Sequence, residues 1–113
     1  MIPRSVIMGF ALMIPAVGFS HMVSAQDIQP SSTAFMNANK KMMDMMMNMK
    51  PSGDADKDFV MMMNPHHQGA VDMAEVELQY GKDPELKKMA EQIIKAQKKE
   101  IEEFKKWQQK HGM

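Results

Sequence analysis

The chain of 113 residues contains no cysteine, which excludes disulfide bonds and thiolate metal ligands. Its basic and acidic side chains are equal in number, and nucleic-acid binding needs a clear basic excess, so we expect no nucleic-acid partner. No serine is paired with a histidine in a recognisable nucleophile motif. The Glu-x-x-His and His-Glu-x-x-His spacings of di-iron and zinc enzymes are also absent. We therefore do not expect an enzyme.

The amino-terminal segment has the layout of a secretory signal peptide. Arg4 supplies a positive charge, residues 6–19 are almost wholly apolar, and Val23-Ser24-Ala25 ends in small residues. The apolar run is shorter than the roughly 20 residues that a membrane-spanning helix needs. We therefore expect cleavage, export, and no membrane span in the mature chain. The predicted organisation is a signal peptide at 1–25, a flexible leader at 26–32 and a single domain at 33–113.

Apolar residues recur at helical spacing through the mature chain, and no stretch alternates as a strand would. The link Gly81-Lys82-Asp83-Pro84 contains a helix stop, a capping aspartate and a first-turn proline, so it joins two antiparallel neighbours. Pro65 lies inside the second helix, and we expect that helix to continue with a kink. A break there, with Asn64 as a new cap, is nearly as good locally. The prediction is an all-α antiparallel bundle with helices at about 33–49, 55–80 and 84–110 and a long helix 2–helix 3 hairpin.

Methionine is the unusual component of the sequence. The chain has 17 methionines, whereas only two leucines follow the predicted cleavage site. A helical core is normally built from Leu, Ile and Val, whose rotamers specify packing better than flexible methionine. A surface helix needs one apolar face, but the first helix carries two methionine stripes. The predicted core-facing stripe is Met36, Met43 and Met46 or Met47, and the stripe rotated away from it is Met42, Met45 and Met49.

Two adjacent histidines lie between methionines in the second helix. Helical spacing places His66 in line with Met62 and Met73, and places His67 in line with Met63 one step around. Consecutive residues diverge by about 100° on a helix. Either one histidine is a ligand and the other is a surface group or supports the ligand, or the two histidines serve two sites. The side chains that could orient an imidazole by accepting its second N–H are Gln68, Asp72 and Gln97.

Thioether and imidazole together are the ligands of a soft or borderline metal ion. Cu(I) fits best, Ag(I) is chemically similar, and imidazole also accepts Cu(II). The alternative role for each methionine of the group Met62, Met63, Met73 and Met89 is that of a core residue. An alternative function is a metal-free, methionine-rich helical module that binds envelope proteins. A third is an oxidase that converts Cu(I) to Cu(II).

The segment from Asp58 to Ala74, which contains Met-Met-Met-Asn-Pro-His-His-Gln, resembles the signature of CopM-like bacterial periplasmic proteins. Residues 80–86, and Ala96-Gln97 with Glu100-Ile101, continue the resemblance, which covers roughly residues 58–112. It implies a ferritin-like helical bundle that binds copper, and sometimes silver, in the cell envelope. Some relatives contain two copies of the domain, so a site built between copies would need a dimer or the first helix here. The ligands implied by position are Met62, Met63, His66, His67 and Met73.

The leading hypothesis is an exported protein that sequesters or transfers Cu(I) and so contributes to copper homeostasis or resistance. Its expected partners are the metal ion, a second copy of the chain in a homodimer, and an envelope protein that receives copper. The complete set of candidate ligands adds the first helix and the third to the central segment. These candidates are Met42, Met43, Met45, Met46, Met49, Met62, Met63, His66, His67, Met73 and Met89.

Overall fold

A computed structural model describes residues 29–113, which form three helices: α1 (Pro30–Met47), α2 (Ala55–Tyr80) and α3 (Pro84–Lys110). The predicted signal peptide and most of the predicted leader lie outside the described residues. The predicted all-α bundle with a long α2–α3 hairpin is confirmed, and the bounds of α2 and α3 agree with the prediction. None of the described helices is both long enough and apolar enough to cross a membrane.

Side-chain caps fix the starts of the two long helices. The Asp54 carboxylate accepts hydrogen bonds from the backbone N–H groups of Asp56 and Lys57, which have no partner inside the first turn of α2. Asp83 does the same at the start of α3. Helix α2 runs through Pro65 without a break, so the alternative start at this proline is not used.

The predicted bounds of the first helix were wrong by two or three residues. α1 begins at Pro30, whose fixed backbone angle and missing N–H suit the first turn of a helix. It ends at Met47, and the N–H of Asn48 bonds to the carbonyl oxygen of Asp44. Met49, which was placed in the helix, therefore lies in the α1–α2 connection.

Helix α2 is the centre of the fold. Its backbone is close to both α1 and α3, whereas within residues 29–113 the backbones of α1 and α3 do not approach each other. The buried apolar side chains are small or β-branched, and they come from all three helices. They are Ala38, Val60, Val71, Ala74, Ala90 and Ile101.

The orientation predicted for α1 was wrong for most of the core-facing stripe, in which Met36, Met43 and Met47 are exposed and only Met46 is half-buried. Met36 and Met47 are 61% and 78% exposed, although both belong to the stripe predicted to face the core. Met42 of the other stripe packs on Gly69 of α2, where an added Cβ would lie 2.5 Å from the Met42 sulfur. The close approach at this glycine, together with burial of Ala38, turns α1 so that Met36 and Met47 face outward.

Candidate metal centre

The two central histidines point in different directions, as helical geometry predicts. The ring of His66 is exposed, whereas His67 is only 5% exposed, and the two ring centroids are 6.2 Å apart. Each histidine therefore has its own environment. They cannot serve as two ligands of one ion on the same side of α2.

His67 faces α3. Its Nε2–H donates a hydrogen bond to the carboxylate of Glu100, and the ring of Phe104 packs edge-on against it with centroids 5.4 Å apart. The other ring nitrogen, Nδ1, is buried and has no hydrogen-bond partner in the protein. A histidine that gives one N–H to a carboxylate while its second nitrogen stays free has the arrangement common among metal-bound histidines.

Glu100 was not predicted as the partner of a histidine. The Glu100 side chain is about half exposed, so it reaches solvent as well as the buried ring of His67. The available signal was its position immediately before Ile101, which is buried in the core. A side chain one step from the centre of the buried face can still reach the neighbouring helix.

Gln68 and Asp72, which were candidates to orient a ring, are engaged elsewhere. Gln68 Nε2 donates to Asp72 Oδ1 at 2.9 Å, and Lys41 Nζ of α1 lies 3.4 Å from Asp72 Oδ2. The Lys41–Asp72 ion pair connects α2 to α1. Gln97, the third candidate, is half-buried on α3.

Met73 of α2 and Met89 of α3 line one groove with a volume of about 390 Å³. Phe35 of α1 closes one side of this groove, and Glu77 contributes a carboxylate. The remaining lining side chains are apolar. The two sequence-predicted methionines thus line the same groove from different helices.

Met62 and His66 extend this arrangement along α2. Steps of four, four and three residues connect Met62, His66, Ala70 and Met73, so these side chains share one face of the helix. Ala70 and Met73 line the groove, and Met62 and His66 are exposed. The predicted stripe is therefore an open face of α2, which we call the α2 stripe (Met62, His66, Met73). Met63, half-buried, lies on the side of His67.

The candidate methionines of α1, together with Met49 of the α1–α2 connection, fall into three environments. Met42 contacts Gly69, and Met46 and Met49 are also half-buried. Met45 is 48% exposed. Met43 is 44% exposed and belongs with Met36 and Met47 on the outer side of the helix.

The donor atoms favour a soft metal ion. Within residues 29–113, no three His, Asp or Glu side chains come together as a group that could hold a metal ion. The groove and the α2 stripe offer thioether sulfur, one imidazole and one carboxylate. Neutral sulfur ligands suit Cu(I), whereas magnesium, calcium and manganese prefer oxygen. The available side chains therefore fit a Cu(I)-type ion better than a hard cation.

These features define an all-α protein with exposed methionines along an open helix face. Residues 19–108 match the family described as Domain of unknown function (DUF305), and the chain belongs to that family. The match includes all of α1 and α2 and nearly all of α3. No curated protein matches the sequence.

Proposed function

We propose that this protein is exported to the periplasm and binds Cu(I), or the similar Ag(I), through thioether sulfur and imidazole. It would sequester or transfer the ion and so limit its toxicity. The observation that carries the proposal is the placement of sulfur outside the core. No methionine among residues 29–113 is fully buried, whereas the core is made of alanine, valine and isoleucine.

Packing alone does not account for that placement. A methionine that serves only to fill a core gains stability by leaving water, at roughly 25 cal/mol for each Å² of apolar surface that becomes buried. Met62 and Met89 keep 46% and 48% of their surface exposed. They forgo much of this gain while keeping sulfur accessible to a soft ion.

The first group of ligands in this proposal is His66 with Met62 and Met73 of the α2 stripe, and Met89 across the groove. His66 is exposed, so an incoming ion reaches its ring without opening the core. Further thioethers for additional ions come from Met42, Met45 and Met46 on the inner side of α1 and from Met49 in the α1–α2 connection.

His67 and Met63 offer a second direction of binding, towards α3. The Glu100 carboxylate orients the imidazole and leaves Nδ1 as the nitrogen available to a metal. Because Nδ1 is buried, an ion can reach it only if α2 and α3 separate locally. We therefore assign the primary site to His66.

A periplasmic location gives thioether ligands an advantage over thiols. Thiols become disulfides in an oxidising compartment. Methionine forms no disulfide, so it binds Cu(I) without a system that keeps the ligand reduced. Oxidation of methionine to the sulfoxide would still weaken the site. A second copy of the chain covering the groove, or an envelope protein that accepts copper, is the partner that we propose for this open face.

The proposal is tested by adding the protein to a coloured complex of Cu(I) with a Cu(I)-specific chelator. We expect the protein to withdraw Cu(I) at micromolar concentration, and mass spectrometry of the intact protein should show discrete metal-bound species. Failure to compete at this concentration would overturn the proposal. Mass spectrometry also reports whether the metal-bound species is a monomer or a dimer.

The metal-free interaction module is favoured by a different observation. Met36, Met43 and Met47 point away from α2 and expose a flexible apolar surface of the kind that binds proteins promiscuously. Replacing these three by leucine keeps volume and apolarity but removes sulfur. An interaction module should retain partner binding after this change and should also bind its partner in the presence of a copper chelator.

A further inference from the structure

A second cavity lies at the other end of the α2–α3 hairpin from the groove of Met73 and Met89. It has a volume of about 270 Å³ and is formed by the first turns of α2 and the last turns of α3. Three aromatic rings and one valine form its walls, and two carboxylates accompany them. The lining residues are Asp56, Phe59, Val60, Glu103, Phe104 and Trp107.

The aromatic rings are held in place by contacts with one another and with histidines. Phe59 and Phe104 pack edge to face with centroids 5.8 Å apart and an angle of 77° between their planes. The ring of Trp107 is stacked on the ring of His111, with centroids 4.1 Å apart. The faces of aromatic rings carry partial negative charge and attract cations, most strongly in the case of tryptophan.

The two carboxylates give this cavity a negative charge. Asp56 and Glu103 come from different helices. Lys99 Nζ lies 3.9 Å from Glu103 Oε1, and an exposed ion pair of this kind is only weakly stabilising. A cavity lined by aromatic rings and acidic groups is complementary to a cation that also has an apolar surface.

The lining chemistry separates this cavity from the thioether surface. No sulfur or imidazole lines it, so it lacks the ligands that Cu(I) prefers. Calcium and magnesium need six or more oxygen ligands, including waters, and would gain nothing from the aromatic walls. A quaternary ammonium group carries a positive charge inside a shell of methyl groups, and aromatic cages are its known binding environment.

We propose that this cavity binds a small trimethylammonium compound, with the cationic group against Phe59, Phe104 and Trp107. Asp56 and Glu103 balance its charge. The proposal does not depend on copper binding, because none of these residues belongs to the α2 stripe or to the groove.

Trp107 is the only tryptophan of the chain, so its fluorescence reports directly on this cavity. The protein is titrated with choline, with sodium chloride as the ionic control. A second titration uses the neutral alcohol in which carbon replaces the ammonium nitrogen of choline. We expect a saturable change in emission with choline and binding of the neutral compound that is weaker by about fivefold or more. Equal affinity for the two compounds, or no saturable response to choline, would overturn the proposal.

Substitutions then identify the residues that bind the cation. Phe59→Leu removes a half-exposed ring but keeps an apolar side chain, and we expect choline affinity to fall by about two- to fivefold. The double variant Asp56→Asn, Glu103→Gln should weaken binding and reduce its dependence on salt. The matched controls are Phe35→Leu and Glu77→Gln, which alter the other groove and should leave the Trp107 response unchanged.

Unchanged choline binding in Phe59→Leu and in the double carboxylate variant would contradict the assignment of the cavity. Circular dichroism checks that each variant keeps its helical content. If a variant does not fold, the comparison of choline with its neutral counterpart still decides the question, because it uses the unaltered protein.

Discussion

His67 of α2 donates a hydrogen bond from Nε2 to the carboxylate of Glu100 on α3. The imidazole is almost completely buried, whereas the carboxylate is about half exposed. The contact therefore connects the two helices of the hairpin at the edge of the core. Loss of the carboxylate would leave a buried polar ring without its partner, and such a group costs free energy because it has given up its hydration.

We predict that Glu100→Ala lowers the free energy of unfolding by about 1–3 kcal/mol. Glu100→Gln should cost less, because its amide oxygen can still accept the hydrogen bond. Urea unfolding followed by circular dichroism measures both changes. Glu103→Ala, an exposed glutamate on the same helix, is the matched control and should change stability by no more than about 0.5 kcal/mol. Equal effects of Glu100→Ala and Glu103→Ala would show that the His67 contact adds no stability.

The packing of Met42 on Gly69 leads to a second prediction. An added Cβ at position 69 would lie 2.5 Å from the Met42 sulfur and 3.0 Å from its Cβ, so the two helices would have to separate or the methionine would have to move. Such overpacking costs about 1–3 kcal/mol, and the better helix propensity of alanine returns at most about 1 kcal/mol. We therefore expect Gly69→Ala to lower the free energy of unfolding by the difference between the overpacking cost and the gain in helix propensity.

Met42→Ala removes the atoms that the new methyl group would meet, so it should relieve the effect of Gly69→Ala. A double-mutant cycle measured by urea unfolding gives the coupling between the two positions. We expect the double variant to be more stable than the sum of the two single changes implies. Strict additivity would contradict the close approach of α1 to α2 at this point.

The bounds of α2 and α3 could be predicted because the residues that fix them act locally. A capping aspartate acts within three residues, and a proline at the first helical position needs no tertiary contact. The start of α1 was missed because no side chain caps it. Its rotation could not be read from its own sequence, since methionines surround the helix. Gly69 on another helix decides it.

The candidate site shows the same division between local and tertiary information. The divergence of His66 and His67 follows from helical geometry alone and was predicted. The partner of His67 was not, because it depends on how α2 and α3 are aligned along their axes. Met73 and Met89 were both candidates, but the groove that they share is a property of the assembled hairpin.

The loop between α1 and α2 gives a pH-dependent prediction. The side-chain hydroxyl and the backbone N–H of Ser52 donate to Asp58 Oδ1 at 2.6 and 2.7 Å, and these hydrogen bonds lower the pKa of Asp58 below its ordinary value. A lowered pKa in the folded state adds stability above the pKa of the unfolded chain. This contribution is lost as the pH falls through the folded-state pKa.

Asp58→Asn should therefore be less stable than the unaltered protein at neutral pH. The difference should shrink as the pH falls below the ordinary aspartate pKa and disappear once Asp58 is protonated in both states. Urea midpoints measured across this acidic range test the prediction. Asp56→Asn is the control in the same helical turn. A difference that stays constant through the acidic range would contradict the role of the Ser52 hydrogen bonds.

The final prediction separates the proposed metal ligands from methionines that are merely exposed. Replacing Met62 and Met73 by leucine keeps apolar volume on the α2 stripe but removes two thioethers. Met36→Leu with Met47→Leu is the matched control, because it removes the same number of sulfurs from the outer side of α1.

Loss of a residue that only hydrogen-bonds to a metal ligand weakens metal binding by about 10- to 100-fold. Loss of two direct ligands should therefore weaken Cu(I) binding by at least about tenfold. Chelator competition measures both affinities, and His66→Ala should behave like the α2 stripe variant. Equal losses of Cu(I) affinity in the α2 stripe variant and in the Met36→Leu, Met47→Leu control would mean that Cu(I) binds methionine wherever it is exposed. The groove would then have no special role.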